Sequence, residues 1–318
     1  MSQFETCSSD LMEGKFFPST RVFKKFELHQ PTTLEKTLSL LATYGKKAHV
    51  FAGGTDLLID MKDGEVRPEH VVSISGIPNL SFIEHDEQGL RIGALTTLRD
   101  IENSKVIKDK YLLLQEAVCT MGSVQVRNIA TIGGNICKAS PAADTAVPLL
   151  ALDAQVKIAN LAGERTWPLE KFFIGAGKTS FESGELLIGI QVPPLPENTG
   201  TSFLKISKSA VGSIAKLSVA VVLRVANGIC EDVRIALGAV ASTPIRAREV
   251  ERALKGKRVD DTLIEKVSLL AAEAVQPSSV KTTIRPHRTT FEYRKTVCPV
   301  IVKRALKKAL ERTDYDWR

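Results

Sequence analysis

Residues 130–146 read ATIGGNICKASPAADTA and bring a glycine pair, an asparagine, a cysteine and an aspartate close together. A second segment, FAGGTDL at residues 51–57, carries the same glycine pair behind an apolar run. Both segments read as a strand that enters a glycine turn. Because glycine has no Cβ atom, several backbone N–H groups can converge there on a concave site that suits a phosphate or diphosphate.

The side chains beside the two glycine pairs indicate how a nucleotide would bind. Thr55 and Asn135 can add hydrogen-bond donors. Asp56 and Asp144 would repel a diphosphate, so we expect them to meet hydroxyls of a ribose or ribityl chain. Neither segment fits G-x-G-x-x-G or G-x-x-x-x-G-K-[ST], so the site is neither Rossmann nor P-loop. The alternative interpretation is two ordinary turns whose aspartates cap short helices.

Cys137 lies inside the segment at residues 130–146, where it could suggest a metal site. The chain has five cysteines and five histidines, but no two cysteines lie within four residues of each other and no H-x-x-x-H pair occurs. Zinc and iron–sulfur sites normally need several clustered thiolates or imidazoles. We therefore predict no metal ligand. The sequence also gives no local evidence of a base that would activate Cys137 for covalent catalysis, and we interpret it as a small buried or partly buried thiol.

Length and composition set the class of protein. The chain has 318 residues, of which 43% are hydrophobic and 25% charged, which predicts two soluble domains. No apolar run is long enough for a membrane span, and the N-terminus does not read as a secretory signal, so we expect a cytoplasmic protein. The net charge is +7. A basic helix face at residues 303–312 indicates a solvated face or a partner contact rather than a nucleic-acid surface.

The first half of the chain alternates strands and helices. We predict an N-terminal extension at residues 1–22, a strand at 23–28, a helix with a Thr32/Glu35 capping box that ends at Gly45, and strands at 48–54 and 70–75. Further on, LRIGALTTLRDI reads as a strand entering a short helix, YLLLQEAVCTMG as a buried helix, and AADTAVPLLALDA as a helix that starts at Asp144. Strands at 155–160 and 184–194 complete this half.

The second half has a different pattern. PPLPENTGTS, residues 193–202, reads as a linker. FLKISKS, LSVAVVLRV and DVRIALGAVAS predict an antiparallel sheet with a turn at Gly228. Helices are expected near 245–255, 260–275 and 299–312. The predicted domains are therefore 23–197, with subdomains of about 23–80 and 81–197, and 198–318.

Several linked motifs carry a family resemblance over about residues 23–312. FAGGTDLL, ATIGGNICKASPAADTAVPLLALDA, GELLIGIQVP and FLKISKSAVGSIAKLSVAVVL occur in this order. Together they resemble the FAD-binding medium subunit of the xanthine dehydrogenase family of molybdenum hydroxylases. The resemblance implies an α+β fold, with a two-part vanillyl-alcohol-oxidase-type FAD-binding domain followed by an α+β flavoprotein C-terminal domain.

The same resemblance assigns residues to FAD. The glycine turn at residues 51–57, called the first turn below, would line the diphosphate and flavin. The glycine turn within residues 130–146, the second turn, would meet the diphosphate, and Asp144 would meet FAD hydroxyls. Leu187 would pack near the adenine, Lys205 and Gly122 would approach the cofactor, and Ile214 would lie near the isoalloxazine face. The full set of implied cofactor residues is Val50, Ala52, Gly53, Gly54, Thr55, Asp56, Leu57, Gly122, Thr131, Gly134, Asn135, Asp144, Leu187 and Lys205.

The activity that the resemblance implies is an electron relay. Its partners would be a molybdenum-cofactor catalytic subunit and a subunit with two two-iron two-sulfur clusters, assembled as a dimer of heterotrimers. The flavin would pass electrons to NAD or another acceptor. No nucleic acid and no membrane span are expected. Because the cofactor carries the reaction, no acid–base residue of this chain is expected to be catalytic.

Two departures from the family pattern narrow the interpretation. Gly212 and Ser213 precede Ile214-Ala215-Lys216, where many xanthine dehydrogenases carry acidic residues, and this leaves the acceptor open. No cysteine-rich insertion separates GGNIC from ASPAAD, which argues against the subgroup that reduces 4-hydroxybenzoyl-CoA. Two alternatives remain: a stand-alone FAD oxidoreductase of the same cofactor-binding superfamily, and a flavin-free scaffold subunit. The holoenzyme's substrate stays open, with xanthine-like substrates as the default.

Overall fold

The structure is a computed structural model that describes residues 24–209, 212–277 and 290–313. The predicted N-terminal extension at residues 1–22 lies outside these ranges. So do Phe23, at the start of the first predicted strand, and the last five residues of the second predicted domain.

A small parallel sheet opens the described chain. Its elements are β1 (Glu27–His29), α1 (Leu34–Tyr44), β2 (Ala48–Phe51), α2 (Leu57–Asp63) and β3 (His70–Ser73). The strand order is β1-β3-β2, with both pairs parallel. This confirms the predicted alternation of strand, helix, strand, glycine turn and strand. The first strand is shorter than predicted, because residues 24–26 precede it as irregular chain.

The start of α1 differs from the prediction. Thr33, not Thr32, is the N-cap, and its side-chain oxygen accepts a hydrogen bond from the Lys36 amide at 3.2 Å. The predicted capping box with Glu35 is therefore wrong by one position. Gly45 ends the helix as expected, with a φ of 51° and its N–H donated to the Leu41 carbonyl. Single-residue shifts of this kind arise because two adjacent threonines offer equivalent capping groups.

A larger antiparallel sheet follows, and its strands run in the order β4-β5-β10-β6-β7. The strands from this part of the chain are β4 (Ile83–Asp86), β5 (Gly89–Gly93), β6 (Gln155–Asn160), β7 (Gly163–Pro168), β8 (Phe173–Gly175), β9 (Lys178–Thr179) and β10 (Leu186–Val192). β8 and β9 pair separately as a short hairpin. Side chains alternate along β10, so Leu187 lies in the main core and Ile188 packs toward the small sheet. A bulge shifts the register between Leu187 and Gly189.

Short helices fill the space between β5 and β6, and one more follows β7. They are α3 (Leu98–Asn103), α4 (Lys105–Lys110), α5 (Leu112–Cys119), α6 (Val124–Arg127), α7 (Ile132–Cys137), α8 (Ala146–Ala151) and α9 (Leu169–Phe172). α5 is the predicted buried helix, with Leu113 and Leu114 fully buried. Thr97 and Asp100 form a complete capping box at the start of α3. The N-cap of α8 is Thr145, so this helix starts later than the Asp144 that was predicted.

The C-terminal part is an antiparallel sheet covered by helices. Its strands run in the order β11-β12-β13-β14, and the elements are β11 (Thr199–Ile206), β12 (Leu217–Ala226), β13 (Ile229–Gly238), β14 (Ile245–Arg246), α10 (Arg248–Leu254), α11 (Asp261–Ser268), a 3₁₀ segment (Leu269–Ala274) and α12 (Phe291–Leu310). The antiparallel prediction and the turn at Gly228 are confirmed. The predicted linker is too long, because β11 already begins at Thr199.

The last helix is also longer than predicted. α12 begins at Phe291 and runs through Pro299, where the sequence interpretation had placed its start. Thr290 caps it by accepting a hydrogen bond from the Tyr293 amide at 3.1 Å. Proline is most common near a helix start, which explains the misplaced boundary. Here Cys298, Ile301 and Val302 pack in the C-terminal core and hold the helix across the proline.

The basic face of α12 is mostly used in ion pairs. Lys303 and Lys307 pair with carboxylates of α11. Lys308 Nζ and Arg312 Nη2 lie 2.9 and 2.7 Å from Glu116 Oε1 on α5. Glu116 Oε2 also accepts the Phe203 amide of β11 at 3.0 Å. One carboxylate therefore ties the helical core to the C-terminal sheet and its covering helix.

None of the helices within the described ranges has the length and apolar content needed to cross a membrane.

Candidate cofactor-binding site

The first glycine turn presents a run of free amides. It joins the end of β2 to the start of α2, and Gly54 has a φ of 73°. Among the described residues, no partner is found for the backbone N–H groups of residues 52–56. Residues 52–55 are only half-buried. An exposed series of unpaired amides around a left-handed glycine is an arrangement that binds anionic oxygens.

The two glycine segments lie against each other. A Cβ atom on Gly53 would lie 1.9 Å from the Ile129 carbonyl oxygen, so the backbone of the first turn touches the chain that leads into the second. Lys138, at the end of α7, forms a short ion pair with Asp60 of α2. Two segments that are far apart in sequence therefore lie side by side.

The second glycine segment has a different structure from the one predicted. No strand enters it: Gly133 and Gly134 belong to the first turn of α7, and Thr131 is the N-cap. The Gly133 amide donates to the Ala94 carbonyl at 3.0 Å, and the Gly134 amide donates to the Thr131 hydroxyl at 3.1 Å. These amides are already satisfied inside the protein. The expectation that both turns offer converging N–H groups is wrong for the second turn, which supports the first instead.

Gly134 and Asn135 still face outward on this second segment. Gly134 is exposed, and a Cβ atom there would meet only the Thr131 hydroxyl, at 3.0 Å. Asn135 Oδ1 accepts a hydrogen bond from the buried Thr145 hydroxyl at 2.6 Å. That bond fixes the amide orientation and leaves the side-chain NH₂ group as a donor toward the surface.

Asp144 is a buried carboxylate with one satisfied oxygen. Its Oδ2 lies 2.5 Å from Lys205 Nζ, which also donates to the Thr120 carbonyl at 3.2 Å. Its Oδ1 is buried and lacks a hydrogen-bond partner among the described residues. Burial raises the pKa of Asp144 to about 6, although the Lys205 ammonium acts to lower it. A buried acceptor without a donor is costly, so this oxygen fits a ligand hydroxyl.

Helix capping does not explain the positions of Asp56 and Asp144. Asp56 stands at the N-cap position of α2, but its side chain makes no capping hydrogen bond. Burial raises the pKa of Asp56, Lys138 opposes that shift and Asp60 adds to it. Asp144 precedes the N-cap of α8 and bonds to Lys205 instead. The alternative interpretation of both residues as caps is therefore wrong.

Gly122 lies two positions after Thr120, whose carbonyl accepts a hydrogen bond from Lys205. It has a φ of 48°, and the Arg127 Nη1 donates to the Met121 carbonyl at 2.7 Å and more weakly to the Gly122 carbonyl at 3.4 Å. The position of a Cβ atom on Gly212 lies 3.7 Å from the Gly122 carbonyl, so the loop before β12 approaches this glycine. On the same loop Ile214 is 48% exposed.

Arg127 holds the segment around Gly122 in place. Its side chain is buried, and Nε and Nη2 bond to the two carboxylate oxygens of Glu102 at 2.9 and 3.0 Å. The hydrogen bond from Arg127 is the main cause that lowers the pKa of Glu102. A bidentate pair of this kind orients both groups, so Arg127 is held where it donates to the Met121 and Gly122 carbonyls and fixes that backbone.

The remaining predicted residues have different surroundings. Val50 and Ala52 are half-buried and pack against the core of the small sheet. Thr55 is also half-buried, and Leu57 begins α2. Leu187 is only 2% exposed and belongs to the main core rather than to the surface of the two turns. Its contact with an adenine ring stays a prediction.

Four residues of this region were not found from the sequence: Asp60, Thr120, Arg127 and Lys138. Lys138 and Asp60 are 78 positions apart, so no local spacing could reveal their pairing. Thr120 contributes only its carbonyl. Cys137, which the motif made prominent, has a pKa that burial raises to about 12, so its thiol is protonated near neutral pH, as expected for a packing residue.

The comparisons with known proteins follow the same division of the chain. Residues 24–195 match the FAD binding domain in molybdopterin dehydrogenase, and residues 202–309 match the CO dehydrogenase flavoprotein C-terminal domain. The glyceraldehyde dehydrogenase medium chain of Sulfolobus acidocaldarius is 34% identical over 80% of this chain and 88% of its own length. The xanthine dehydrogenase FAD-binding subunit of Escherichia coli O157:H7 is 31% identical over 89% of this chain and 95% of its own length.

A solved structure has the same fold. It is carbon monoxide dehydrogenase from Hydrogenophaga pseudoflava lacking the Mo-pyranopterin moiety of the molybdenum cofactor. The matched chain has a TM-score of 0.87 and 32% identity, with 92% of this chain and 99% of that chain covered. The predicted α+β arrangement, an FAD-binding domain followed by a flavoprotein C-terminal domain, is confirmed. The chain is an FAD-binding oxidoreductase subunit, and it belongs to the family of FAD-binding medium subunits of molybdenum hydroxylases such as the xanthine and carbon monoxide dehydrogenases.

Proposed function

We propose that this chain is the electron-relay subunit of a molybdenum hydroxylase complex, in which FAD accepts electrons from iron–sulfur clusters and passes them to NAD or another acceptor. The observation that carries the proposal is the arrangement around Asp144. Within the part of the chain that the structure describes, its buried Oδ1 and the amides of residues 52–56 have no partner, and they provide one acceptor and several donors for the two polar parts of a dinucleotide.

The chain's own groups hold and orient the cofactor. The amides of the first turn would donate to diphosphate oxygens, and the Asn135 NH₂ group would add a donor from α7. Asp144 Oδ1 would accept a hydroxyl of the ribityl or ribose chain, while Lys205 keeps the carboxylate in place through its 2.5 Å contact. When bound, FAD supplies the electron transfer that these side chains cannot perform. The described site needs no acid–base side chain for this role.

The proposed partners follow from the fact that the relatives of this chain are named as subunits. Two relatives are named as a medium chain and as an FAD-binding subunit of a dehydrogenase, and such names describe one part of a larger assembly. We assign this chain a molybdenum-cofactor catalytic subunit and a two-iron two-sulfur subunit as partners, in a dimer of heterotrimers. A cytoplasmic location and a xanthine-like substrate belong to the same proposal.

The acceptor depends on the loop around Ile214. The exposed Ile214 and the glycine at position 212 provide an uncharged approach beside Gly122. Residues 212–215 carry no charge, and such a segment admits NAD as well as other acceptors, so we keep NAD or another acceptor as the proposal.

The proposed domain division is 23–80 and 81–197 for the FAD-binding domain, then 198–318. Its support is the break between the two matched segments, 24–195 and 202–309, and the change from the larger sheet to the C-terminal sheet after β10. Residues 1–22 are proposed to be an extension of this unit.

Purification of the native complex tests the relay. We expect a yellow complex in which this chain elutes with molybdenum and iron, and in which substrate oxidation reduces NAD or another soluble acceptor. A yellow monomer that oxidises a substrate alone would favour the stand-alone oxidoreductase. A colourless chain in an active complex would favour the scaffold.

A variant test separates flavin binding from assembly. Asp144→Asn removes the charge that accepts the cofactor hydroxyl, so the complex should keep molybdenum and iron but lose FAD and acceptor reduction. A dye that takes electrons before the flavin should still be reduced. The matched control is Asp109→Asn, since Asp109 is exposed on α4. Normal FAD content and acceptor reduction in Asp144→Asn would contradict the proposed role of this carboxylate.

A further inference from the structure

A carboxylate and two imidazoles meet on one face of the small sheet, away from the glycine turns. Glu27 and His29 alternate along β1, so their side chains point to the same face. His70 opens β3 and stands opposite Glu27 in the parallel register. His29 and His70 are 41 positions apart, so no local histidine spacing could indicate this cluster.

The three ligand-type atoms have separations close to those around a tetrahedral metal ion. His29 Nε2 lies 3.1 Å from His70 Nδ1. Glu27 Oε2 lies 3.4 Å from His70 Nδ1, and Glu27 Oε1 lies 3.8 Å from His29 Nε2. Zinc bonds to imidazole nitrogen and carboxylate oxygen are about 2.0–2.2 Å long, so two ligands of a tetrahedral ion are about 3.3–3.5 Å apart. All three atoms lie within 4.8 Å of one another.

Tyr44 at the end of α1 holds both rings. Its ring stacks on His70 with centroids 3.7 Å apart and on His29 with centroids 5.2 Å apart. The histidine side chains are only 13% and 16% exposed, whereas the Glu27 side chain is 62% exposed. The imidazoles are therefore oriented before any ligand arrives, and the carboxylate leaves one side open to solvent.

The present contact between the two rings is compatible with metal binding. In the neutral pair, one of the two facing nitrogens carries the proton of the hydrogen bond. When that proton moves to the other nitrogen of the same ring, both facing nitrogens present lone pairs. No net oxidation or reduction is involved.

The geometry points to a divalent-cation site of the zinc type, formed by Glu27, His29 and His70, with water in the remaining position. The ion would clip β1 to β3. His70 pairs with Ala48, and Gly53 comes five positions after Ala48 along β2 and the turn. At about 3.3 Å per residue, the site lies about 16 Å from the first glycine turn. It is separate from the FAD site and does not depend on the proposed relay.

Zinc titration of the full chain tests the site. A tag-free, FAD-loaded chain is treated with chelator, dialysed and titrated calorimetrically with ZnCl₂. We expect one Zn²⁺ per chain. His29→Gln and His70→Gln should each weaken binding more than about a hundredfold, since loss of an outer-shell partner alone costs up to that factor. The matched control is His85→Gln, because His85 lies outside the cluster and contacts Tyr111 instead.

A second measurement and a further variant keep the test decisive. Zn²⁺ should raise the thermal unfolding midpoint of the wild-type chain but not of His70→Gln, and it should leave FAD content and the visible spectrum unchanged. If a histidine variant fails to fold, the exposed Glu27→Gln replaces it and should weaken binding at least tenfold, roughly the smaller loss known for outer-shell changes. No zinc uptake by the wild-type chain, or equal affinity in Glu27→Gln and His85→Gln, overturns the site.

Discussion

Lys205 Nζ lies 2.5 Å from Asp144 Oδ2, although the two residues are 61 positions apart. Lys205 is on β11, the first strand of the C-terminal sheet, and Asp144 precedes α8 in the helical core. Both side chains are almost fully buried. The family motifs assigned each residue to FAD separately, whereas the structure shows that the two form one buried ion pair, which joins the C-terminal sheet to the helical core.

Lys205→Met should destabilise the protein and release FAD. Removing one partner of a buried pair leaves an unpaired buried charge, which costs about 3–5 kcal/mol. Urea unfolding gives the free energy, and visible absorbance after desalting gives the FAD content. The control is Lys157→Met, whose half-exposed partner Glu164 makes a surface pair worth less than about 1 kcal/mol.

A double variant separates the two effects of Lys205→Met. Lys205→Met with Asp144→Leu replaces the buried pair by apolar groups, a change that is often neutral for stability. We expect stability near that of the wild type but no FAD. Normal FAD content in the double variant would show that neither side chain contacts the cofactor.

The affinity of the apoprotein for FAD should fall as the pH is lowered through about 6. Burial raises the pKa of Asp144 to about 6, and a cofactor hydroxyl donating to Oδ1 favours the charged form. Binding therefore prefers the ionised carboxylate and releases a proton. Flavin fluorescence titrations between about pH 5 and pH 8 measure this. Asp144→Asn should bind more weakly with little dependence on pH in this range.

The stability of the apoprotein should show the opposite trend with pH. The folded-state pKa of Asp144 is raised above its ordinary value of 3.8, so the folded chain binds a proton more tightly than the unfolded chain. The stability from this group is complete below pH 3.8 and is lost as pH rises to about 6. Comparing the pH dependence of urea unfolding in wild type and Asp144→Asn isolates this contribution, and identical curves would contradict it.

The glycines of the two segments should respond differently to substitution. A Cβ atom at position 134 would meet only the Thr131 hydroxyl, at 3.0 Å, so we expect the fold of Gly134→Val to survive. FAD content should fall, because the branched side chain lies where the diphosphate is expected. Full FAD occupancy in that variant would remove the second segment from the site. Circular dichroism and visible absorbance are the measurements.

Gly53→Ala should impair the fold as well as FAD binding. Its Cβ atom would lie 1.9 Å from the Ile129 carbonyl oxygen, so the backbone of one segment must move away from the other. We expect a lower unfolding midpoint and loss of FAD together. Wild-type stability in Gly53→Ala would mean that the two segments do not need their close contact.

Glu116→Ala should weaken the joint between the two domains. The change removes the acceptor of the Phe203 amide, Lys308 and Arg312, and we expect a loss of about 1–3 kcal/mol in the free energy of unfolding. Burial raises the pKa of Glu116, but hydrogen bonds from Arg312 and Lys308 outweigh it and hold the pKa below its ordinary value. The stability is therefore present above the unfolded pKa and is lost as pH falls through the folded pKa.

A matched control for this prediction is Glu265→Ala. Glu265 on α11 is 66% exposed and pairs with Lys303 of α12. Solvent screens an exposed pair, which therefore contributes little to stability, so this variant should unfold nearly like the wild type. Equal losses in Glu116→Ala and Glu265→Ala would show that Glu116 has no special role in the joint.

Much of the fold was predictable because it rests on local signals. Gly45 ends a helix, and Gly228 turns one strand into the next, as their positions indicated. The errors occurred where two local signals competed. Thr33 caps α1 beside an equivalent Thr32, and α12 continues through Pro299 because Cys298 and Ile301 pack in the core.

The sequence by itself determined the residue types of the site and the family to which the chain belongs, because glycine pairs and their neighbouring aspartates are properties of short segments. The tertiary structure decided which of these groups remain free. It satisfied the Gly133 and Gly134 amides internally, left those of residues 52–56 open, and paired Asp144 with Lys205. Burial and hydrogen bonding depend on distant parts of the chain, so no local pattern could assign them.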